Sequence, residues 1–192
     1  MITAIIFDCF GVLLTDAFDA ILREFQQRQP EAAAKVLDLA QDVNRGLITR
    51  DQFVERISVI MEVAPADYNA RITNGEIKNK DLFAYIKQLR RGVKTAVLSN
   101  VSYEGFWRRF TPNELRLYFD ATILSGEIGY AKPDAQAYEV AAEQLGVRLD
   151  ECVMIDDRED YCAGARAVGM QAIVYQSLPQ LKSELEKFGV AT

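Results

Sequence analysis

"IIFDCFGVLL", residues 5–14, decides the fold. An apolar run stops at Asp8, and Cys9-Phe10-Gly11-Val12 follows. Apolar side chains at successive positions, without alternation, mark a strand covered on both faces, as in a parallel sheet. Working outward, four similar runs occur at 94–98, 121–124, 152–155 and 171–175, so with 3–7 the spacing predicts five strands. Helical patterns lie between them. Leu82, Phe83, Ile86 and Leu89 share one helical face before Gly92. Pro133 is expected to open another helix through Tyr138, Ala141, Ala142 and Leu145, with Gly146 stopping it. Alternating strands and helices imply an open, doubly wound α/β sheet.

A long stretch, residues 15–79, interrupts this alternation and holds no strand pattern. Phe18, Ile21, Leu22 and Phe25 form one apolar face of a helix that must end before Pro30. A second helix is expected from Pro30 towards Gly46. Thr49-Arg50-Asp51-Gln52 fits a capping box that opens a third, with Phe53, Ile57 and Ile60 inward. Pro65 is expected to end it, and a short fourth helix to follow. The division expected is an α/β core of residues 1–14 and 80–192 and an all-helical subdomain of 15–79.

Composition excludes several classes of chemistry. The 192 residues are 49% hydrophobic and 26% charged, enough for one compact α/β domain or for one domain with a modest insertion. A net charge of −6 argues against nucleic acid as a partner, and the densest basic stretch, 87–94, reads as an exposed helix end. No apolar run is long enough to span a membrane, and Met1 leads straight into a strand-like run without a secretory leader's basic start. Cys9, Cys152 and Cys162 form no CxxC pair and read as reduced thiols of a cytoplasmic protein. There is no histidine, which removes Ser-His-Asp and Cys-His catalysis and the commonest zinc sites.

What remains are carboxylates, lysine and hydroxyls, and these collect where strands end. Ligands of an open parallel sheet bind beyond the carboxyl ends of its strands. The first strand ends in Asp8, the second ("TAVLSN", 95–100) in Ser99-Asn100, and the fourth ("CVMIDD", 152–157) in Asp156-Asp157. The loop after the third strand, "SGEIGYAKPD" (125–134), carries Lys132. Singly, an acid at a strand end is most often a turn or cap, and Ser99 is an ordinary helix N-cap candidate. Together, three acids cannot all stay ionised at one edge without a cation, and all-oxygen donors favour Mg²⁺.

In this order these residues resemble the haloacid dehalogenase-like hydrolase superfamily. The likeness runs over residues 2–175. It rests on Asp8 followed by Gly11-Val12, on Ser99-Asn100 after "TAVL", on "GEIGYAKPDAQAYEVAAEQLGV" (126–147) with Lys132, and on "CVMIDDREDYCAGARAVGM" (152–170). The resemblance implies a Rossmann-like core with a helical cap, and Mg²⁺-dependent hydrolysis of a small phosphorylated metabolite. Asp8 would be the nucleophile, forming an aspartyl phosphate. Mg²⁺ would be held by Asp8, the Phe10 main-chain carbonyl, Asp156 and Asp157. Ser99, Asn100 and Lys132 would face the substrate, Ser99 as a hydrogen-bond donor and Lys132 as the counter-charge to Asp8 and phosphate.

Phe10 departs from that pattern. Phosphatases of the superfamily usually carry a second Asp there, as general acid and base. Losing such help typically costs about 10²–10⁴ in rate, least for good leaving groups. Two other readings follow. One is a metal- and phosphate-binding regulatory protein with little turnover. The other is a 2-haloacid dehalogenase, disfavoured because Asp156 and Asp157 would repel an anionic haloacid. Asp16 is a lesser proton-donor candidate that reads better as a helix start, and Tyr161 stands where relatives often carry Asn. Specificity is expected in the insertion and in loop 125–131, and the sequence names no substrate and no oligomeric state.

Overall fold

The computed structural model describes residues 1–190. Five parallel strands, β1 (Ala4–Phe7), β2 (Lys94–Ser99), β3 (Ala121–Leu124), β4 (Cys152–Asp156) and β5 (Gln171–Val174), form one sheet in the order β3-β2-β1-β4-β5. The strand order reverses at β1, which pairs with β2 on one side and β4 on the other. Phe7 lies opposite Val97 on one side and Ile155 on the other. The three central strands therefore end side by side.

Both faces of the sheet are buried, as uninterrupted apolar strands require. Ile5, Phe7, Val97, Val153 and Ile155 join one core. It includes Leu82, Phe83, Ile86 and Leu89 of α5 (Lys80–Leu89) and Leu181 and Leu185 of the C-terminal helix, Leu178–Lys187. Ala4, Ile6, Ala96, Leu98 and Met154 point the other way, onto Tyr138, Ala141, Ala142 and Leu145 of the helix Ala135–Leu145 and onto Ala165 of Glu159–Ala167. Alternate side chains of one strand thus feed two different cores.

Between β1 and α5 the chain makes four helices, α1 (Ala17–Arg28), α2 (Pro30–Asn44), α3 (Arg50–Met61) and α4 (Pro65–Gly75). They have a core of their own, built from Ile21, Leu22, Phe25, Val36, Phe53, Ile57 and Ile72 among others. Local chemistry sets their starts. Asp16 accepts from the Asp19 amide at 2.9 Å, and Thr49 and Gln52 form the expected reciprocal box. The expectation for Pro65 is corrected. Glu62, in the left-handed region at φ 56°, ends α3, and Pro65 opens α4, where a missing N–H is no loss. The segment enters and leaves through paired backbone: Thr15 N donates to Ile77 O at 3.1 Å and Asn79 N to Leu13 O at 2.9 Å.

The helices after β2 are α6 (Tyr103–Trp107), α7 (Pro112–Leu115), α8 (Ser125–Ile128), α9 (Ala135–Leu145), α10 (Glu159–Ala167) and α11 (Leu178–Lys187). Here Pro133 does not begin α9 as expected. Asp134 N turns back to Ala131 O at 2.7 Å, so the helix starts at Ala135. Among the described residues no helix is long and apolar enough to cross a membrane, and the three cysteines are unpaired and buried.

Candidate active site

The central strand ends carry the polar groups. Asp8 follows β1, its amide bonded to Ile155 O at 2.8 Å, so its carboxylate emerges beside the end of β4. Asp156 is the last residue of β4 and fully buried. Its Oδ1 accepts from the Arg158 amide at 3.0 Å and its Oδ2 from Lys132 Nζ at 2.5 Å. Lys132 Nζ also donates to Asp8 Oδ1 at 2.6 Å, and its side chain is wholly enclosed. The lysine is therefore the ammonium bridge between two carboxylates from adjacent strands. Carboxylate oxygens of Asp8, Asp156 and Asp157 lie within 4.8 Å of one another.

Asn100, just past β2, fixes that lysine. Its Nδ2 donates to Lys132 O and its Oδ1 accepts from Lys132 N, both at 2.8 Å. Asn100 thus grips the main chain of the loop with its carbonyl and one N–H, and it also borders the cavity above the strand ends. Ser99 is not a helix cap; that role falls to Ser102, which accepts from the Gly105 amide. Ser99 is among the residues around the cavity above the strand ends, and its hydroxyl is buried and without a hydrogen-bond partner. A hydroxyl left free in this way can donate to an oxygen of a ligand or of water.

The turn after β1 also fits a cation. Leu13 N and Leu14 N both donate to Cys9 O, and Gly11 N to Leu14 O. This leaves the Phe10 carbonyl without a partner in the chain among the described residues. Gly11 sits at φ +91°, and a Cβ there would lie 2.3 Å from Asp157 Oδ2. Only glycine lets the turn pass beneath that carboxylate.

Charge accounts for the protonation pattern. Burial raises the Asp8 carboxyl to about 7, Lys132 opposing the rise and Asp156 adding to it. Partial burial and then Asp156 raise Asp157 to about 6. Burial alone would lower Lys132, but Asp156 and Asp8 outweigh it and hold the ammonium charged. Three acids against one ammonium leave two negative charges uncompensated when all are ionised. Hard oxygen donors with that deficit suit Mg²⁺. Cys9 behaves as a buried apolar residue: burial, then Asp8, push its thiol well up.

The site opens into a cavity of about 450 Å³. Its floor is the sheet edge, with Asp8, Phe10, Ser99 and Asp157; its other wall is helical, with Phe18, Val43, Arg50, Phe53, Tyr68 and Ile72. The two sides meet elsewhere as well. Arg45 pairs with Asp134 at 3.2 Å, and Ser125 Oγ donates to Asn44 O. Phe10 lies under Arg109, whose guanidinium carbon is 5.0 Å from the ring centroid, and Arg109 is gripped by Glu76, with Nε to Oε2 at 2.7 Å. Asp16 faces the same cavity while capping α1, and burial raises its carboxyl. Tyr161 presents its ring to Lys132 at 5.1 Å and to Arg158 at 4.3 Å.

Asp8, Ser99, Lys132, Asp156 and Asp157, expected at one edge, are brought together there. Arg50, Tyr68, Glu76 and Arg109 are cavity residues that no sequence signal marked. They come from the insertion and from the region after β2, and only packing joins them.

Known proteins carry the same architecture. A phosphatase of Mycobacterium tuberculosis is 40% identical over 87 residues, 43% of this chain and 39% of its own length. The chain spans well under half the length of that relative. A solved HAD family enzyme of Bacteroides thetaiotaomicron, in complex with magnesium and inorganic phosphate, superposes with a TM-score of 0.75 at 21% identity, over 94% of this chain and 99% of that one. An L-2-haloacid dehalogenase of Xanthobacter autotrophicus superposes less closely, with a TM-score of 0.57 at 18% identity over 100% of this chain and 85% of that one. The haloacid dehalogenase-like hydrolase model matches residues 2–169, most of the chain. With the parallel sheet, the acids at its strand ends and this match in hand, the chain belongs to the haloacid dehalogenase-like hydrolase family.

Proposed function

We propose that this chain is a Mg²⁺-dependent phosphatase of a small phosphorylated metabolite, with Asp8 as nucleophile. The observation that carries the reading is the Asp8–Lys132–Asp156 bridge beside Asp157, at the foot of a cavity that Ser99 also borders. The phosphatase relative supports the same substrate chemistry. We assign residues 15–79 as the cap and 1–14 with 80–192 as the core; the last two residues lie outside the described ones. No nucleic-acid or membrane partner enters this reading, and the unpaired thiols fit a cytoplasmic protein.

Asp8, Asp156, Asp157 and the Phe10 carbonyl would hold Mg²⁺, which supplies charge neutralisation for the carboxylates and the transferring group. Asp8 attacks phosphorus through a carboxylate oxygen, and the substrate oxygen leaves with the electron pair of the broken P–O bond. Lys132 favours the ionised form of Asp8 and balances the charge on the equatorial oxygens, while Ser99 donates to one of them. Water then attacks the phosphoryl group, Asp8 departs as a carboxylate, and the water's proton passes to solvent. Phe10 gives no proton to the first step and removes none in the second. The expected preference is therefore for aryl and acyl phosphates, whose leaving groups need little protonation.

Phosphate release from an aryl phosphate tests the reading. With Mg²⁺ it should be readily measured, and both EDTA and Asp8→Asn should abolish it. Equal rates in the three samples would refute it. Phe10 favours a second reading, a phosphate- and metal-binding protein with negligible turnover. Tight binding with no release across a broad panel of phosphate esters would establish that instead. Dehalogenation ranks third, since three clustered carboxylates repel an anionic haloacid, and halide release from a 2-haloacid would revive it.

A further inference from the structure

The cavity's helical wall carries a cation, Arg50, whose one paired carboxylate among the described residues is exposed to water. Arg50 is the first residue of α3, and its side chain is 14% exposed. Its Nη2 donates to Asn69 Oδ1 on α4 at 2.5 Å. The carboxylate paired with it, Asp51, is 4.0 Å away and itself 97% exposed, so water screens it. A guanidinium has five donors, and a helix N-terminus disfavours a positive charge. Burial, then Arg108 and Arg109, also work against the charged form. Arg109, on the same cavity, is neutralised by Glu76, whereas Arg50 has no such partner. A half-buried cation opposed by desolvation, helix dipole and like charges contributes little to folding. It makes sense as the receptor for an anion.

We infer that Arg50 is a specificity residue that binds a second anionic group, a carboxylate or a further phosphate, on the molecule whose phosphoryl group faces Asp8. The inference rests on the phosphatase reading and names its substrate class: phosphorylated acids rather than phosphates of neutral alcohols. Phe18, Val43, Phe53, Val54 and Ile72, on the same cavity, supply an apolar lining for the segment joining the two anionic ends. Both kinds of anion present paired oxygens to a guanidinium fork.

Calorimetry with Mg²⁺ present tests this. Probes are ω-phosphonocarboxylates, phosphonoacetate to 6-phosphonohexanoate, against alkylphosphonates and alkane bisphosphonates of matched length. At the best length a doubly anionic probe should bind at least about tenfold tighter than its alkylphosphonate, a typical return for one charge-assisted pair. Arg50→Met should erase that difference while leaving alkylphosphonate affinity within about twofold, and Arg50→Lys should retain part of it. Asn69→Ala breaks the tie between α3 and α4 but keeps the guanidinium, so it should preserve the preference; a merely structural Arg50 would respond alike in both. Whether the carboxylate or the bisphosphonate series binds better identifies the second group. Equal affinities, no binding of any probe, or a preference surviving in Arg50→Met would overturn the inference. Phosphate release on the same samples separates the two ideas. Turnover without acid preference sinks the Arg50 role alone, and acid preference without turnover sinks the phosphatase reading alone.

Discussion

The strand-end site and the helical wall above it are built in opposite ways. At the sheet edge, backbone register places each group: Asp8 directly follows β1, Asp156 ends the adjacent β4, and Asn100 holds both the N–H and the C=O of Lys132. On the wall, side chains of separate helices meet through packing, as where Arg50 of α3 reaches Asn69 of α4. A site set by main-chain pairing is insensitive to the identity of its surroundings. A site set by side-chain packing changes with any of several residues. The proposed function puts chemistry in the first and selectivity in the second, in keeping with that division.

The sharpest way to break the comparison is to remove the ammonium bridge. Lys132→Met leaves Asp8 and Asp156 facing each other in an enclosed site. It should cost about 3–5 kcal/mol in urea unfolding, the usual penalty for deleting one partner of a buried pair. Added Mg²⁺ should recover part of that loss. Unchanged stability would mean the sheet edge does not depend on its charge balance.

Next in size is Phe10→Asp. It should raise turnover of alkyl phosphates by about 10²-fold and of aryl phosphates far less, because only the poorer leaving group needs the proton. Equal gains on both would show that proton supply is not what limits the chain.

The pH dependence is smaller. Without metal, Asp8 and Asp157 titrate near 7 and 6, both above the ordinary value of 3.8. The folded protein then holds protons that the unfolded chain has released, so metal-free stability should fall as pH rises from about 4 to 7. On the proposed ligand set protons would compete with Mg²⁺ for the same oxygens, so apparent affinity should rise between pH 5.5 and 7.5, by up to about tenfold per unit per proton displaced, and level off above. A flat titration would place the metal elsewhere.

The smallest effect expected is the most diagnostic of the division. Phe53→Leu, in the cavity wall, should leave Mg²⁺ affinity within about twofold, since it stays apolar and lies off the strand ends. It should still change the ranking among phosphorylated substrates. A large loss of Mg²⁺ affinity would mean that the two regions are not separable.

The same division explains what the sequence made legible. Strands buried on both faces write their positions as uninterrupted apolar runs, and the acids that end them stand out against that background. Thr49 and Gln52 announce α3 because their capping bonds are local. Pro65 misled because proline both stops and starts helices, and the left-handed turn at Glu62 that decides between them carries no glycine to mark it. The roles of Asn100, Arg109 and Glu76 were hidden for a different reason. Asn100 grips a residue 32 positions away, and Arg109 and Glu76 meet across 33. No periodicity records such a meeting.

The two backbone segments that carry the chain into and out of residues 15–79 run side by side, tied from Thr15 to Ile77 and from Asn79 to Leu13. Those paired ends are the segment's covalent doorway, and their closeness favours grafting. A foreign insert with similarly spaced ends could replace it without disturbing strand register. Chimeras that exchange it between related chains should transfer choice of substrate while the recipient keeps its own chemistry.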